Sequence, residues 1–132
     1  MAVLQLHVVT PEREVVETEA DAVELPGSEG YLGVLPGHAP LATLLKTGVL
    51  TYRRAGAEQA LAVSTGFAEI ASDRISVLAD SAEGPGQIDA AAAERERAKS
   101  EKEMESASAE TLPEIQARFE LAQARLAVAR KG

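Results

Sequence analysis

Residues 83–93, EGPGQIDAAAA, mark the point at which the chain changes from one structural pattern to another. Residues 84–86 are two glycines flanking a proline, a combination that interrupts strands and helices alike. Before them the apolar residues recur with a period of two, and after them begins an alanine-rich run that favours helix. The stretch therefore predicts a boundary between a β-rich domain, residues 1–87, and a helical domain, residues 88–132.

The β-rich domain carries apolar residues at alternate positions. Leu4, Leu6 and Val8 fall on one face of a first strand, and Ile75 and Val77 do the same in a late strand. Short apolar or β-branched runs lie between them, separated by turn signals in which Gly or Pro supplies the backbone angles. These signals are Pro26-Gly27, Pro36-Gly37, Ala55-Gly56 and Ser72-Asp73. Many short strands at this spacing predict a sandwich or a barrel.

The helical domain has the start signals of two helices. Asp89 is a plausible N-cap for a helix over Ala90–Met104, while Thr111 and Glu114 have the spacing of a capping box for a second helix. Residues 106–110 are left as the connecting turn. Two helices joined by a short turn predict an antiparallel hairpin, and the fold class is therefore α+β.

Each helix presents a different amount of apolar surface. The second helix has a single apolar stripe at spacings of four, three, four and three, formed by Ile115, Phe119, Ala122, Leu126 and Ala129. The first helix offers mainly Ala91, Ala98 and Met104 for burial. We therefore expect the first helix to contribute little to the core.

Composition argues against several classes of partner. The formal net charge of −8 disfavours nucleic acid, because phosphate binding needs clustered Lys and Arg. The chain has no Cys, so it holds neither disulfides nor a Cys-ligated zinc ion. No stretch approaches the ~20 apolar residues that span a bilayer, so we expect membrane association only through another protein.

Motifs for catalysis, metal binding or cofactor binding are not recognisable in the sequence. His7 and His38 lack the spacing of a known metal motif, and a lone strand His is more often structural. The tripeptide at 64–66, Ser-Thr-Gly, lacks the spacing of a nucleophile elbow and is interpreted as a hairpin corner. The glycine-rich residues 27–37 match neither a P-loop nor a dinucleotide fingerprint. These observations predict a protein that is not an enzyme and has no catalytic, metal or cofactor site.

Four ordered blocks carry a resemblance to a known family. They are GSEGYLGVLPGHAPL at 27–41, AVSTGFAEI at 62–70, ISVLAD at 75–80 and VVTP at 8–11. Together with the helical hairpin they resemble the epsilon subunit of bacterial and plastid ATP synthases, which is equivalent to the mitochondrial delta subunit. The resemblance covers nearly the whole chain.

The resemblance implies an N-terminal antiparallel β-sandwich that binds the gamma subunit and rests on the c-ring, followed by a hairpin that lies folded or extends toward the alpha and beta subunits. The protein is then a rotor and regulatory subunit within a hetero-oligomeric complex, peripheral to the cytoplasmic face of the bacterial inner membrane, with the plastid thylakoid as the lesser alternative. Carried over by position, the residues facing the c-ring are Ser28, Glu29, Gly30 and Tyr31. Those facing gamma are His38, Ala39, Pro40, Leu41, Ala42 and Thr43. A purely structural role of the Gly and Pro residues in these segments stays open.

The resemblance also bears on nucleotide binding and on regulation. Some bacterial members carry Ile-Asp-x-x-Arg-Ala at the start of the helical domain, but Ala92 stands here in place of the Arg. Loss of a guanidinium, a strong phosphate partner, predicts weak or absent ATP binding. Arg118 and Arg125 are seven residues apart and so share a helical face, which by resemblance contacts an acidic segment of beta. A solvated basic face with i to i+4 pairs is the alternative.

An alternative function, from a different class of protein, is that of a β-sandwich adaptor with a helical dimerisation tail, unrelated to ATPases. A homodimer formed through the helices needs a sustained heptad seam, and this hairpin is short with an alanine-rich first helix. A small enzyme is a more distant third possibility.

Overall fold

The computed structural model describes residues 2–131, in which ten β-strands precede two α-helices. The strands are β1 (Leu4–Val9), β2 (Glu14–Ala20), β3 (Ala22–Gly27), β4 (Gly30–Val34), β5 (Leu41–Leu45), β6 (Gly48–Arg54), β7 (Ala57–Val63), β8 (Gly66–Ile70), β9 (Arg74–Ala79) and β10 (Ala82–Glu83). A 3₁₀ turn (Pro85–Gln87) leads to α1 (Ala90–Met104) and α2 (Leu112–Lys131). The Gly-Pro-Gly segment therefore lies between the end of the last strand and the start of the first helix.

The strands form one hydrogen-bonded sheet in the order β10-β7-β6-β3-β5-β8-β9-β1-β2, with β4 on the second edge of β3. The pairs formed by the described strands are antiparallel, except that β1 lies parallel to β9. The predicted α+β class and the β-sandwich followed by a helical hairpin are confirmed, with this one parallel pair added.

The sandwich encloses a single apolar core. Leu4, Leu6 and Val8 are buried on the inner face of β1, and Ile75 and Val77 are buried on β9, as the period of two predicts. Other members of the same cluster come from β2 to β8 and from β10, including Ala20, Val23, Leu25, Val34, Leu45, Leu50, Leu61, Val63, Ala68, Ile70 and Ala82. The core is therefore built from residues 4–82 alone.

The turn predicted at Pro26-Gly27 lies two residues further along the chain. Pro26 and Gly27 belong to β3, and Ser28 and Glu29 form the turn. Residues 22–24 of β3 pair with β6, and Gly27 pairs with β5. Between these two pairings, the carbonyl of Pro26 accepts a hydrogen bond from Lys46 N at 2.8 Å. A strand tolerates proline there because no ladder bond needs the missing N–H.

The N-terminal cap of α1 is the predicted one, whereas that of α2 is not. Asp89 Oδ1 accepts a hydrogen bond from Ala92 N at 3.0 Å. Before α2, Ser108 Oγ accepts from Thr111 N at 3.2 Å and Thr111 Oγ1 accepts from Ser108 N at 3.1 Å. The reciprocal pair thus precedes the expected Thr111–Glu114 box by one turn, because Ser108 supplies the first hydroxyl.

The face that α1 turns toward α2 differs from the expected one. The residues expected to be buried are exposed or half-buried: Ala91, Ala98 and Met104. Ala93 and Ser100 are buried instead. On the same side, Glu96 and Glu103 reach Arg118 of α2, with Nη–Oε distances of 3.3 and 2.9 Å. A helix rich in alanine offers little apolar contrast between its faces, so the apolar pattern does not identify the face that turns inward.

The second helix buries residues on two sides, and the prediction of a single apolar face is therefore wrong. Ile115, Ala122 and Leu126 are buried on the side of Arg118, as expected. Ala124 and Val128 are also buried, and they form a second cluster with Ala60 and Ala62 of β7. Helix α2 therefore lies between α1 and the sandwich. Within residues 2–131 neither helix is long and apolar enough to cross a bilayer.

Candidate functional site

Four apolar side chains are aligned across the outer face of the sheet. Leu44 pairs with Phe67, Phe67 with Leu78, and Leu78 with Val9, so they form one line across β5, β8, β9 and β1. Leu44 is 63% exposed, Phe67 39% and Leu78 55%, while Val9 is half-buried. We call Val9, Leu44, Phe67 and Leu78 the apolar row. It spans three strand spacings, about 14 Å, and an apolar patch of this kind marks an interaction surface.

The segment predicted to face gamma adjoins this row. Residues 39–42 are exposed and Thr43 is half-buried. Ala42 precedes Leu44 by two positions on β5, so both lie on the outer face. His38 is half-buried, and its Nδ1 donates a hydrogen bond to the carbonyl of the next residue at 2.7 Å. The structure thus brings the end of the predicted segment to the row, while His38 is held by its own backbone.

The segment predicted to face the c-ring forms the tip of the β3–β4 hairpin. Ser28, Glu29 and Gly30 are exposed, and Gly30 has a φ of 129°, which favours glycine. The Tyr31 side chain is 57% exposed, yet its hydroxyl accepts a hydrogen bond from Val49 N at 3.0 Å. The tip is therefore accessible, and Tyr31 also fastens the hairpin to β6.

Arg118 and Arg125 are engaged within the chain. Arg118 pairs with Glu96 and Glu103 of α1, and the hydrogen bond to Glu103 raises the pKa of Arg118. Arg125 Nε lies 2.6 Å from Oε1 of Glu83, the last residue of β10. These pairs join different elements and are not the i to i+4 pairs of a solvated helix face. In this conformation the arginines hold the hairpin together and fasten it to the sandwich.

All four members of the apolar row are absent from the predicted contact residues. Leu44, Phe67 and Leu78 all alternate with buried residues, so period two places them outward. A large apolar residue at an outward strand position is a signal that was available in the sequence. Their alignment was not, because it depends on how β5, β8 and β9 pair.

The sandwich matches a known family of domains. Residues 3–85 match the family model for the ATP synthase delta/epsilon chain, beta-sandwich domain. The chain belongs to the ATP synthase delta/epsilon chain family. The resemblance noted in the sequence is thereby confirmed.

Relatives in this family are named ATP synthase epsilon chain. The protein of Moorella thermoacetica is 53% identical over 90 residues, which cover 67% of this chain and 67% of the relative. That of Myxococcus xanthus is 40% identical over 124 residues, covering 94% of this chain and 88% of the relative. The second match extends the similarity beyond the sandwich into both helices.

The whole described fold is similar to that of a chain in the cryo-EM structure of the Euglena gracilis mitochondrial ATP synthase, OSCP/F1/c-ring in rotational state 1. The TM-score is 0.84 at 18% identity, with 96% of this chain and 81% of the other covered. At this identity the likeness establishes the fold alone.

Proposed function

We propose that this protein is the non-catalytic epsilon subunit of a rotary F-type ATP synthase and forms part of its central stalk. The observation that carries the proposal is family membership, with 40% identity over 94% of the chain to a protein named ATP synthase epsilon chain. In this role the protein makes and breaks no bonds. It transmits torque and adjusts the activity of the catalytic head through its contacts.

The contact with the gamma subunit is assigned to the apolar row and the adjoining residues 38–43. The row lies on four paired strands, so the backbone positions that carry its side chains are held without a partner. Association that covers three large exposed apolar side chains is favoured by the release of water from them. The hairpin tip at 28–31 adjoins the Leu44 end of the row, because Ser28 N donates a hydrogen bond to the carbonyl of Leu44 at 2.8 Å. By resemblance this tip is assigned to the c-ring.

A binding assay tests the contact with gamma. Phe67→Lys and Leu78→Lys each place a charge in the middle of the row, and we expect each to weaken gamma binding at least about tenfold, or 1.4 kcal/mol. Ala57→Lys, which adds the same charge at the exposed start of β7, serves as the control and should bind normally.

Two results would contradict the proposal. One is wild-type protein that does not bind gamma, and the other is unchanged binding by both row variants. A stable self-dimer that forms in the absence of gamma binding would instead favour the adaptor with a dimerisation tail.

The proposed place in the cell follows from the proposed partners. As a stalk subunit the protein is peripheral to the cytoplasmic face of the bacterial inner membrane, and it reaches that face through the c-ring. Membrane fractionation checks this, since the protein should sediment with membranes and be released together with gamma. Retention on membranes that lack the c-ring would contradict an indirect attachment.

Weak or absent ATP binding is part of the same proposal. Ala92 has no group that reaches a phosphate, and Arg125 is paired with Glu83. We expect calorimetric titration of the isolated protein to show no micromolar site. Micromolar or tighter binding would mean that another arginine, such as Arg95 or one from α2, supplies the charge.

A further inference from the structure

A cluster of metal-binding side chains lies on the outer face of the sheet, away from the helices. His7 is on β1, and Glu14 and Glu17 are on β2. One ligand atom from each lies within 4.8 Å of the other two. His7 Nε2 and Glu14 Oε2 are 2.9 Å apart, so the groups already converge on one point.

An irregularity in the β1–β2 ladder assembles the cluster. His7 is directly opposite Glu17, but a register shift at Val9 places Glu14 opposite that residue. From Leu4 to Val8 each step forward on β1 is matched by one step back on β2. If the ladder stayed regular, Val15 would therefore lie opposite Val9. A bulge redirects side chains in this way. Here it puts a second carboxylate where the regular pattern has an apolar residue.

The charges in the cluster are not balanced by neighbouring cations. Among residues 2–131, no Lys or Arg forms an ion pair with Glu14 or Glu17. Two acidic groups therefore converge with a single imidazole as their counterpart.

The imidazole nitrogen that points into the cluster has no well-formed hydrogen bond. His7 Nε2 is shielded from solvent, and the described residues provide it with no hydrogen bond of good geometry, although Glu14 is close. The His7 side chain as a whole is 43% exposed and Glu14 lies within ion-pair distance, so this nitrogen lacks a well-aligned bond rather than a partner. A bound cation would supply such a bond to this nitrogen and to both carboxylates.

We propose that His7, Glu14 and Glu17 bind a divalent transition-metal ion of the zinc class. Zinc takes one imidazole nitrogen and two carboxylate oxygens at about 2.0–2.2 Å, which places neighbouring donors about 3.3 Å apart in a tetrahedron. Small side-chain rotations bring the three donors from their present separations to that spacing. Mg²⁺ and Ca²⁺ prefer oxygen donors throughout, so the imidazole selects against them. The fourth position faces solvent and is left for water.

Titration with zinc tests the site. Tag-free full-length protein is titrated with Zn²⁺ by calorimetry at pH 7.5, and with Mg²⁺ in parallel. We expect one saturable zinc site of micromolar affinity and no comparable site for Mg²⁺. His7→Gln and Glu17→Gln should each weaken zinc binding at least tenfold. Because all three side chains lie on the sheet surface, we expect both variants to keep the wild-type circular dichroism spectrum.

Two matched controls distinguish zinc binding at this cluster from zinc binding to other histidines and carboxylates of the chain. His38→Gln removes the other histidine of the chain, and Glu19→Gln removes a carboxylate two residues along β2 from Glu17. Both should bind zinc like the wild type. In NMR spectra, zinc should shift the ring resonances of His7 and leave those of His38 in place.

The proposal fails if no saturable zinc binding is found, or if Mg²⁺ binds as well as zinc. It also fails if His7→Gln and Glu17→Gln bind like the wild type, or if a control variant loses the site. Because the titration uses the isolated subunit, its failure leaves the gamma contact untouched, and failure of the gamma assay leaves the zinc site untouched.

Discussion

At the scale of single residues, Gly66 lies where the backbone of β9 approaches β8 closely enough to leave no space for a side chain. A Cβ atom added to Gly66 would lie 2.0 Å from the carbonyl oxygen of Leu78 and 2.8 Å from the Cα of Ala79. Both are backbone atoms, so neither can rotate away. We expect Gly66→Ala to lower the free energy of unfolding by about 1–3 kcal/mol, the usual cost of overpacking. Urea denaturation measures the change.

Gly33 provides a matched control for that substitution. It also lies in a strand, and a Cβ atom added there would meet nothing within 4 Å. Gly33→Ala should therefore stay within about 0.5 kcal/mol of the wild type. Equal effects of the two substitutions would show that glycine is required at 66 for a reason other than the approach of β9.

The position of a single residue is predictable when nearby sequence determines it, and not when the pairing of distant strands does. The inward residues of β1 and β9 follow from period two. The small polar residues at 64–66 mark a break between strands, but the predicted hairpin corner is wrong because β7 and β8 do not pair with each other. The tight approach at Gly66 could not be predicted, because it arises from the pairing with β9. The His7 cluster was missed for the same reason, since Glu14 joins it only through the register shift in β2.

At the scale of elements, Val128 is the main apolar anchor of the hairpin on the sandwich. It is fully buried, and its cluster otherwise contains only small side chains at Ala60, Ala62 and Ala124, with Val49 and Ile88 at the margin. Val128→Ala removes two methyl groups, at about 0.8 kcal/mol each. We expect amide protection in α1 and α2 to fall about tenfold, while the strands keep theirs. Hydrogen exchange followed by NMR measures both.

Gln116→Ala serves as the control, because Gln116 is exposed on the same helix. Its exchange pattern should match the wild type. Equal loss of protection in strands and helices of Val128→Ala would show that the two parts unfold as one unit.

Helix boundaries were predictable, but helix faces were only partly so. Asp89 as the cap and the Gly-Pro-Gly segment before it determine where α1 begins. Its inward face could not be read from the apolar pattern, because alanines occur on several sides. The pairing of Glu96 and Glu103 with Arg118 supplies that information, and it requires α2 to be in place.

At the scale of the whole molecule, the sandwich has a core that needs no helix. The main cluster draws on residues 4–82, and β10 closes against β7 before the 3₁₀ turn. We therefore expect a fragment of residues 1–87 to fold and to bind gamma with the affinity of the full chain. NMR dispersion and the gamma binding assay check this. An unfolded fragment, or one that does not bind, would contradict the division into domains at residues 87 and 88, which stays a prediction.

The folded hairpin is held by contacts that are individually weak. Apart from Val128, the interface with β7 is made of alanines, and the side chains in the ion pairs of Arg118 and Arg125 remain 26–37% exposed. Pairs of this kind contribute little and are screened by salt. A bias of about 1.4 kcal/mol changes a two-state population tenfold. Modest contacts in the assembled complex can therefore draw the hairpin away from the sandwich.

The last prediction is that the extended hairpin slows ATP hydrolysis, with Arg118 and Arg125 contacting an acidic segment of beta. The arginines can reach beta only after they leave their partners within the chain. Glu83→Gln combined with Glu103→Gln weakens those internal pairs and keeps both arginines, so the assembled complex should hydrolyse ATP more slowly. Replacing both arginines by Glu, or deleting residues 112–132, removes the contact itself, so hydrolysis should rise while assembly stays intact.

The opposite signs of these two sets of variants separate a brake from general damage to the hairpin. Glu101→Gln, which affects only an ion pair with Arg97 within α1, is the control and should leave the rate unchanged. The rates are measured at high and low ATP on complexes matched for epsilon content. If both sets change hydrolysis in the same direction, or if neither changes it, the arginines act only inside the folded hairpin, where Arg118 joins the two helices and Arg125 holds α2 to the end of β10.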